Sequence, residues 1–271
     1  MKKTKEKRSL YVPQAESDAC GTGFIANLDG QKSHLLIDHA LTMLENMEHR
    51  GACGFEENTG DGAGMTIQLP HDFFVAKTTD LGFKIPAFGK YGVGMIFFPK
   101  NKKLREESRV LFNDYIDELG FELLGYRVVP TDNSMLGDSA KSVEPHIEQV
   151  FVKPKNPDLE RLALERQLFI LRKFTYHHIV ITFPQIADDF YICSFSYKTL
   201  VYKGQLTAMQ LRSYYVDLQD VTLSSAIATV HSRFSTNTVP KWKLAQPFRY
   251  IAHNGEINTI TGNVKDRKSV V

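Results

Sequence analysis

The order of its apolar segments constrains the fold of this sequence most strongly. Segments with strand character outnumber helical ones and do not alternate strictly with them along the 271 residues. That order favours an α+β fold with layers of sheet and helix over a doubly wound parallel sheet. In the middle of the chain, both a βαβ connection and antiparallel pairing fit the pattern. A 42% share of hydrophobic residues predicts a substantial core and argues against global disorder.

Individual elements can be placed from periodicity and from turn residues. Three helices are predicted. The first begins at residue 33 with Ser33 as its N-cap, the second runs from 104 to 119 and ends before Gly120, and the third spans about 158–174. The glycine-rich stretch 51–64 is predicted to be a loop, and Lys203 and Gly204 are predicted to form a turn. Predicted strands cover residues 24–26, 65–69, 91–98, 121–129, 148–152, 188–196, 199–202, 227–231 and 248–253.

Charge and cysteine content argue against several classes of protein. With 33 Lys and Arg against 31 Asp and Glu, the chain lacks the basic excess of nucleic-acid-binding domains. Its three cysteines, at positions 20, 53 and 193, have no metal-ligand spacing and fit a reducing compartment. No stretch approaches eighteen apolar residues, so no membrane span is expected. We therefore predict a cytoplasmic protein without a metal site.

The first 19 residues are predicted to be a leader. They are rich in lysine and lack the apolar core of a secretory signal peptide. A basic tail that stays attached would have the same composition. If the leader is removed, Cys20 becomes the first residue and carries a free α-amine beside its thiol.

Cys20 is the candidate nucleophile. Cysteine attacks as the thiolate, and a free α-amine, with a reference pKa of roughly 7.7–8.0, is a suitable general base for it. Gly21 and Gly23 leave the backbone beside the sulfur open to a substrate carbonyl. Taken alone, a cysteine followed by glycine is more often a structural thiol, so the prediction depends on motifs further along the chain.

Later motifs contain the groups that an acyl-transfer nucleophile requires. Asn254 and Gly255 offer a side-chain amide and a backbone N–H for an oxyanion, although Asn-Gly is also a common hairpin turn. Arg233 and Arg50 can bind a carboxylate bidentately, although isolated arginines are usually surface residues. Asp61 lies among glycines and either binds a cation or shapes its loop. The glycines at 60, 62 and 64 lack the spacing of a phosphate-binding loop.

Five motifs occur in a characteristic order. They are Cys20-Gly21-x-Gly23-Phe24, His49-Arg50-Gly51-Ala52, NTGDGAG at 58–64, HSRFSTN at 231–237 and HNGEINT at 253–259. Together, from about residue 19 to 264, they resemble the amidotransferase domain at the N-terminus of glutamate synthase large subunits. The His-Arg-Gly, His-x-Arg and His-Asn-Gly elements are shared more widely by class II glutamine amidotransferases. The NTGDGAG block at 58–64 and the Gly-Glu-Ile-Asn-Thr part of the last motif, at 255–259, are typical of the glutamate synthase branch.

The resemblance implies a fold and a catalytic apparatus. The fold would be the N-terminal nucleophile hydrolase sandwich, a four-layer αββα arrangement with two antiparallel sheets. Cys20 would attack the side-chain amide of L-glutamine, form a γ-glutamyl thioester and release ammonia. Asn254 and Gly255 would form the oxyanion hole.

The resemblance also implies how substrate and partners are bound. Arg233 would bind the α-carboxylate of glutamine, with Thr236 on the same loop, and Arg50 would support the pocket. In the whole enzyme, ammonia travels to a flavin centre and aminates 2-oxoglutarate. FMN, an iron–sulfur cluster and contacts with a small electron-transfer subunit are expected in the rest of such an enzyme, and no cofactor is expected in this chain.

The same resemblance divides the chain into three parts. They are a leader at 1–19, an amidotransferase domain at 20–264 that is incomplete at its C-terminus, and a divergent tail at 265–271. The aspartate that binds the substrate ammonium in this family would lie beyond residue 271. An inactive remnant that binds glutamine or a partner protein is therefore the alternative to an active glutaminase. A cysteine protease fits less well, because glycine-flanked Cys20 follows a removable leader.

Overall fold

The described residues form two four-stranded sheets, which are the framework of the fold. The computed structural model describes residues 21–54, 56–235 and 238–249. The predicted leader 1–19, the tail 265–271 and positions 250–253 of the last predicted strand lie outside the described residues. The strands are β1 (Gly21–Ala26), β2 (Ala63–Gln68), β3 (Gly92–Phe98), β4 (Phe121–Val128), β5 (His146–Pro154), β6 (Tyr191–Ser196), β7 (Thr199–Gly204) and β8 (Ile227–Ser232).

Both sheets are antiparallel. The first sheet has the strand order β1-β8-β2-β7 and the second the order β4-β5-β3-β6. Every pair of neighbouring strands runs antiparallel. Of the two arrangements that the sequence allows for the middle of the chain, the antiparallel one is therefore present.

Helices pack on both sheets. Helix α1 contacts β1 and β8, whereas α3 and α5 contact β4 and β6 of the second sheet. Strand β7 contacts β3 and β6, so the sheets pack against each other. The layers follow as helix, sheet, sheet and helix, which confirms the predicted α+β, four-layer αββα arrangement. The helices are α1 (His34–Asn46), α2 (His71–Asp80), α3 (Lys102–Glu118), α4 (Asp138–Ser142), α5 (Arg161–Thr182) and α6 (Gln210–Tyr214), with short 3₁₀ helices at Glu48–Arg50, Pro184–Ile186, Val216–Gln219 and Trp242–Leu244.

Two apolar cores hold these layers together. One contains side chains of α1 and both sheets, among them Ile37, Met65 and Phe151. The other lies between the second sheet and helices α3 and α5, and includes Phe112 and Leu168. Each fully buried side chain of this size contributes roughly 1.5–3 kcal/mol. None of the helices described is both long and apolar enough to cross a membrane.

The local signals at the start of α1 act as the sequence predicts. The Ser33 side chain accepts a hydrogen bond from the backbone N–H of Leu36 at 3.2 Å and so caps the helix. The apolar face of α1 is buried, as its spacing predicts. Helix α1 ends at Asn46. The 3₁₀ helix Glu48–Arg50 follows it, with Gly51 as its C-cap.

Several predicted boundaries are wrong. Lys203 and Gly204 do not form a turn, because they continue β7 and pair with residues 64 and 63 of β2. Residues 63 and 64, which the sequence predicts as part of a loop, begin β2 instead. Helix α5 ends at Thr182 rather than near residue 174. Phe248 and Arg249 belong to no strand, and the sequence reasoning missed α2 altogether.

Candidate active site

One edge of the first sheet collects the segments that carry the motifs. Gly21, at the start of β1, lies opposite Ser232 at the end of β8. On the other side of β8, Ser232 lies opposite Ala63, which begins β2. Antiparallel pairing thus places the start of β1, the end of β8 and the start of β2 side by side. Cys20 lies outside the described residues but directly precedes Gly21 in the sequence.

Arg50, the last residue of the 3₁₀ helix Glu48–Arg50, lies close to this edge of the sheet. A β-carbon on Gly21 would lie 2.9 Å from the Cβ of Arg50, closer than carbon atoms approach without a shift. A β-carbon on Gly51 would overlap the hydroxyl of Ser232. Glycine at both positions therefore lets β1, β8 and the Arg50 segment approach closely.

Arg233 directly follows β8 and is held at several points. Its Nη1 donates a hydrogen bond to the backbone carbonyl of Asp61 at 3.1 Å, and its Nη2 donates to Thr238 Oγ1 at 2.6 Å. The backbone N–H of Arg233 donates to the carbonyl of Gly62 at 2.8 Å, and its carbonyl accepts from the N–H of Ala52 at 3.3 Å. The guanidinium is half-buried and is oriented by the loop ahead of β2.

Asp61 shapes its loop, which is one of the two roles open to it from the sequence. Its side chain is buried, and Oδ2 accepts a hydrogen bond from the backbone N–H of Ser235 at 2.5 Å. Burial raises the pKa of Asp61, whereas the bond from Ser235 and the charge of Arg233 oppose that rise. Asp61 thereby ties the segment before β2 to the segment after β8. In the part of the chain that the structure describes, no group of three His, Cys, Asp or Glu residues could hold a metal ion.

Gly60 is expected to be intolerant of substitution. A β-carbon there would overlap the backbone carbonyl of Leu206, so Gly60→Ala forces the loop away from its neighbour. We expect a loss of about 1–3 kcal/mol in the free energy of unfolding, measured by urea denaturation. Gly54→Ala is the matched control, because its β-carbon would meet only the carbonyl of Thr59 at 3.7 Å. Equal stability of the two variants would contradict the proposed close approach.

The sequence matches a known protein family over almost its whole length after residue 19. The model of the class-II glutamine amidotransferases matches residues 20–270. The chain belongs to this family. The two antiparallel sheets with helices on either side agree with the N-terminal nucleophile hydrolase fold of a class-II glutamine amidotransferase.

Similar proteins are glutamate synthases from distant organisms. Glutamate synthase [NADH] of Saccharomyces cerevisiae is 44% identical over 267 residues, which cover 95% of this chain and 12% of that protein. Ferredoxin-dependent glutamate synthase of Pyropia yezoensis is 43% identical over 94% of this chain and 16% of its own length. The large chain of glutamate synthase [NADPH] of Bacillus subtilis is 41% identical over 95% of this chain and 16% of its own length. The amidotransferase chain thus spans 12–16% of these relatives.

The structure describes two of the predicted site residues of this amidotransferase domain. Arg50 and Arg233 both lie at the edge where β1 begins and β8 ends. The others lie outside the described residues, and their roles stay predictions: Cys20, Thr236, Asn254 and Gly255.

Sequence reasoning missed Lys203, whose side chain the amidotransferase domain buries near this edge. A lysine followed by glycine is typical of an exposed turn, and this pattern concealed its burial. The available signal was the strand character of residues 199–202, which continues through Lys203 to Gly204.

Proposed function

We propose that this chain hydrolyses L-glutamine to L-glutamate and ammonia as the amidotransferase part of a glutamate synthase. One observation carries the proposal. Gly21, the residue after Cys20, pairs with Ser232, the residue before Arg233. The proposed nucleophile and the arginine proposed to bind the α-carboxylate of glutamine are each one position in the sequence from a residue of this pair, which supports the proposal.

The proposed reaction begins with removal of residues 1–19, which frees the α-amine of Cys20. The thiol proton passes to this amine, and the thiolate adds to the side-chain carbonyl carbon of glutamine. The amide C–N bond then breaks, and the departing nitrogen takes up the proton and leaves as ammonia. Water hydrolyses the γ-glutamyl thioester, which yields glutamate and restores the thiol. N–H groups of Asn254 and Gly255 stabilise the oxyanion, each by roughly 10²–10³ in rate.

Substrate recognition in this proposal depends on the two arginines. Arg233 binds the α-carboxylate, since a planar guanidinium matches a carboxylate with two parallel hydrogen bonds. Thr236 adds a hydroxyl three positions after Arg233 in the sequence, and Arg50 supports the pocket. The bonds from Arg233 to Asp61 and Thr238 support this role, because they fix the direction of the guanidinium before substrate arrives.

The ammonia is passed to the synthase portion of a cytoplasmic glutamate synthase. This synthase portion lies outside residues 20–264. FMN, an iron–sulfur cluster and any small electron-transfer subunit belong to that portion. The names of the similar proteins support the proposal of a glutamate synthase, because each relative is named as one, with NADH, ferredoxin or NADPH in its name.

The first test combines intact mass with N-terminal sequencing, before and after treatment with the glutamine analogue diazo-oxo-norleucine. The proposal predicts a chain that starts at Cys20 and gains one label. A chain that keeps residues 1–19 and gains none would instead support an inactive remnant of the family.

The Arg233→Lys variant tests the substrate site. Lysine keeps the charge but loses the two-pronged hydrogen bond, so we expect the half-saturating concentration of diazo-oxo-norleucine to rise about 10- to 100-fold. The maximal labelling rate should change much less. Arg166→Lys on the exposed side of α5 is the matched control and should label like the unmodified chain. An unchanged half-saturating concentration in Arg233→Lys would remove Arg233 from the substrate site.

A further inference from the structure

Lys203 buries its amine, and within the described residues no acidic side chain bonds to it. Its side chain is 1% exposed, although lysine is almost never fully buried. The Nζ atom donates hydrogen bonds to the backbone carbonyls of Lys243 at 2.9 Å and Ala245 at 2.7 Å. Within the described residues, no carboxylate acts on its titration. A buried lysine whose amine bonds to two backbone carbonyls therefore calls for a specific role.

The two carbonyls belong to the segment 241–249, the last described part of the chain. Trp242 fixes one end of this segment, where its Nε1 donates to the carbonyl of Ala140 at 3.1 Å. Arg249 fixes the other end by donating to the carbonyl of Cys193 at 3.0 Å. Lys203 holds the middle, and Asn254 follows five positions after Arg249 in the sequence.

We propose that Lys203 is a positioning residue, whose amine fastens the segment 241–249 to β7 and so acts on catalysis through Asn254 and Gly255, which follow this segment in the sequence. Its effect on catalysis rests on the glutaminase function proposed above, whereas the fastening itself does not. Gly64 supports the arrangement, because a β-carbon there would overlap the carbonyl of Gln246 and press on Lys203. The backbone of β2 thus leaves room for the segment to lie against Lys203.

The groups that face the amine come from three parts of the fold. The rings of Tyr191 on β6 and Phe248 in the segment lie 4.7 and 4.4 Å from Nζ. Cys193 on β6 raises the pKa of Lys203, whereas Arg249 and Arg233 lower it.

Burial is the largest influence on this amine, and the net result is a pKa lowered to about 7. A neutral amine has two N–H groups, which matches the number of carbonyls it meets. The fastening is therefore expected to be strongest above pH 7.

The sign of the pH effect follows from linkage. When the segment lifts away, Lys203 reaches water and its pKa returns to roughly 10.4. The opened form therefore binds an additional proton between about pH 7 and 10, and acid favours opening. Between pH 7 and 8.5, we expect the protection of amides in 241–249 against hydrogen exchange to rise about tenfold, after correction for intrinsic exchange.

The experiment compares the unmodified chain, Lys203→Met and the exposed control Lys198→Met. Hydrogen exchange is followed in 241–249 from pH 6.5 to 8.5, and the rate of labelling by diazo-oxo-norleucine is measured on the same samples. At pH 8.5 we expect at least tenfold faster exchange in Lys203→Met, no pH trend, and a tenfold lower maximal labelling rate at an unchanged half-saturating concentration. Lys198→Met should match the unmodified chain.

Each other outcome has a distinct meaning. Unchanged protection in Lys203→Met, or a flat pH series in the unmodified chain, would overturn the fastening. Faster exchange with an unchanged labelling rate would overturn the positioning role. If Lys203→Met fails to fold, the pH series of the unmodified chain decides alone. An unmodified chain that takes no label would instead refute the proposed glutaminase function, and the exchange data would still decide whether Lys203 fastens the segment.

Discussion

Replacement of Cys20 by alanine is expected to abolish glutamine hydrolysis and labelling by diazo-oxo-norleucine, with a loss of about 10⁴-fold or more. The variant has no sulfur to form the thioester, and water alone is a poor substitute for a positioned thiolate. Ammonia release at saturating glutamine and the gain of label by mass measure the effect. The melting temperature should stay within a few degrees of the unmodified chain, because the change removes a single atom.

The other two thiols provide the control. Burial raises the pKa of Cys193 to about 12, and burial with nearby Glu48 also raises the pKa of Cys53. Neither thiol is therefore activated as a nucleophile. Cys53→Ala, which changes an exposed thiol of the glycine-rich loop, should keep full labelling. Label retained in Cys20→Ala, or lost in Cys53→Ala, would show that the nucleophile has been assigned to the wrong residue.

Local signals in the sequence predicted most of the fold. The cap at Ser33 and the apolar spacing after it gave α1, and the aromatic and aliphatic run at 91–98 gave β3, because each signal acts within one element. The end of α5 was placed too early because its last two turns contain His177 and His178, which conceal the apolar contacts of Ile179. Tertiary packing, not local propensity, extends that helix to Thr182.

The arrangement of the candidate site was not available from the sequence. Motif chemistry identified Arg50 and Arg233, but only strand register brings Gly21 opposite Ser232 across more than two hundred positions of sequence. Lys203 was missed for a related reason. Its burial depends on pairing with Gly64 of β2 and on the carbonyls of a segment forty residues away, and the strand character of residues 199–202 reveals neither contact.

The second large effect is expected at a buried ion pair away from the candidate site. Replacing Asp217 by asparagine should lower the free energy of unfolding by about 3–5 kcal/mol. Asp217 is 3% and Arg127 6% exposed, and their side chains meet through two hydrogen bonds of 2.6 and 2.8 Å. Asparagine removes the charge of one partner and leaves the buried guanidinium of Arg127 without its hydrogen-bonded carboxylate.

The pair connects both sheets, so the loss of one partner affects several elements. Arg127 on β4 also donates to Gln149 Oε1 on β5 at 2.9 Å. Asp217 accepts from the hydroxyl of Tyr202 on β7 at 3.1 Å. The guanidinium lies over the ring of Phe73 in α2, 5.4 Å from its centre. Loss of the carboxylate therefore weakens contacts between the second sheet, β7 and α2 together.

Urea and thermal unfolding measure the loss, which corresponds to a fall of roughly 10 °C in melting temperature. Asp114→Asn, on the exposed side of α3, removes one carboxylate at the surface and should cost less than about 0.5 kcal/mol. The double variant Arg127→Met with Asp217→Leu should recover most of the stability, since replacing a buried pair by apolar side chains is often neutral. If Asp217→Asn costs no more than Asp114→Asn, the charge of Arg127 is compensated by its other neighbours. If the double variant is as unstable as the single one, the loss comes from packing and hydrogen bonding, and the unpaired charge is not its cause.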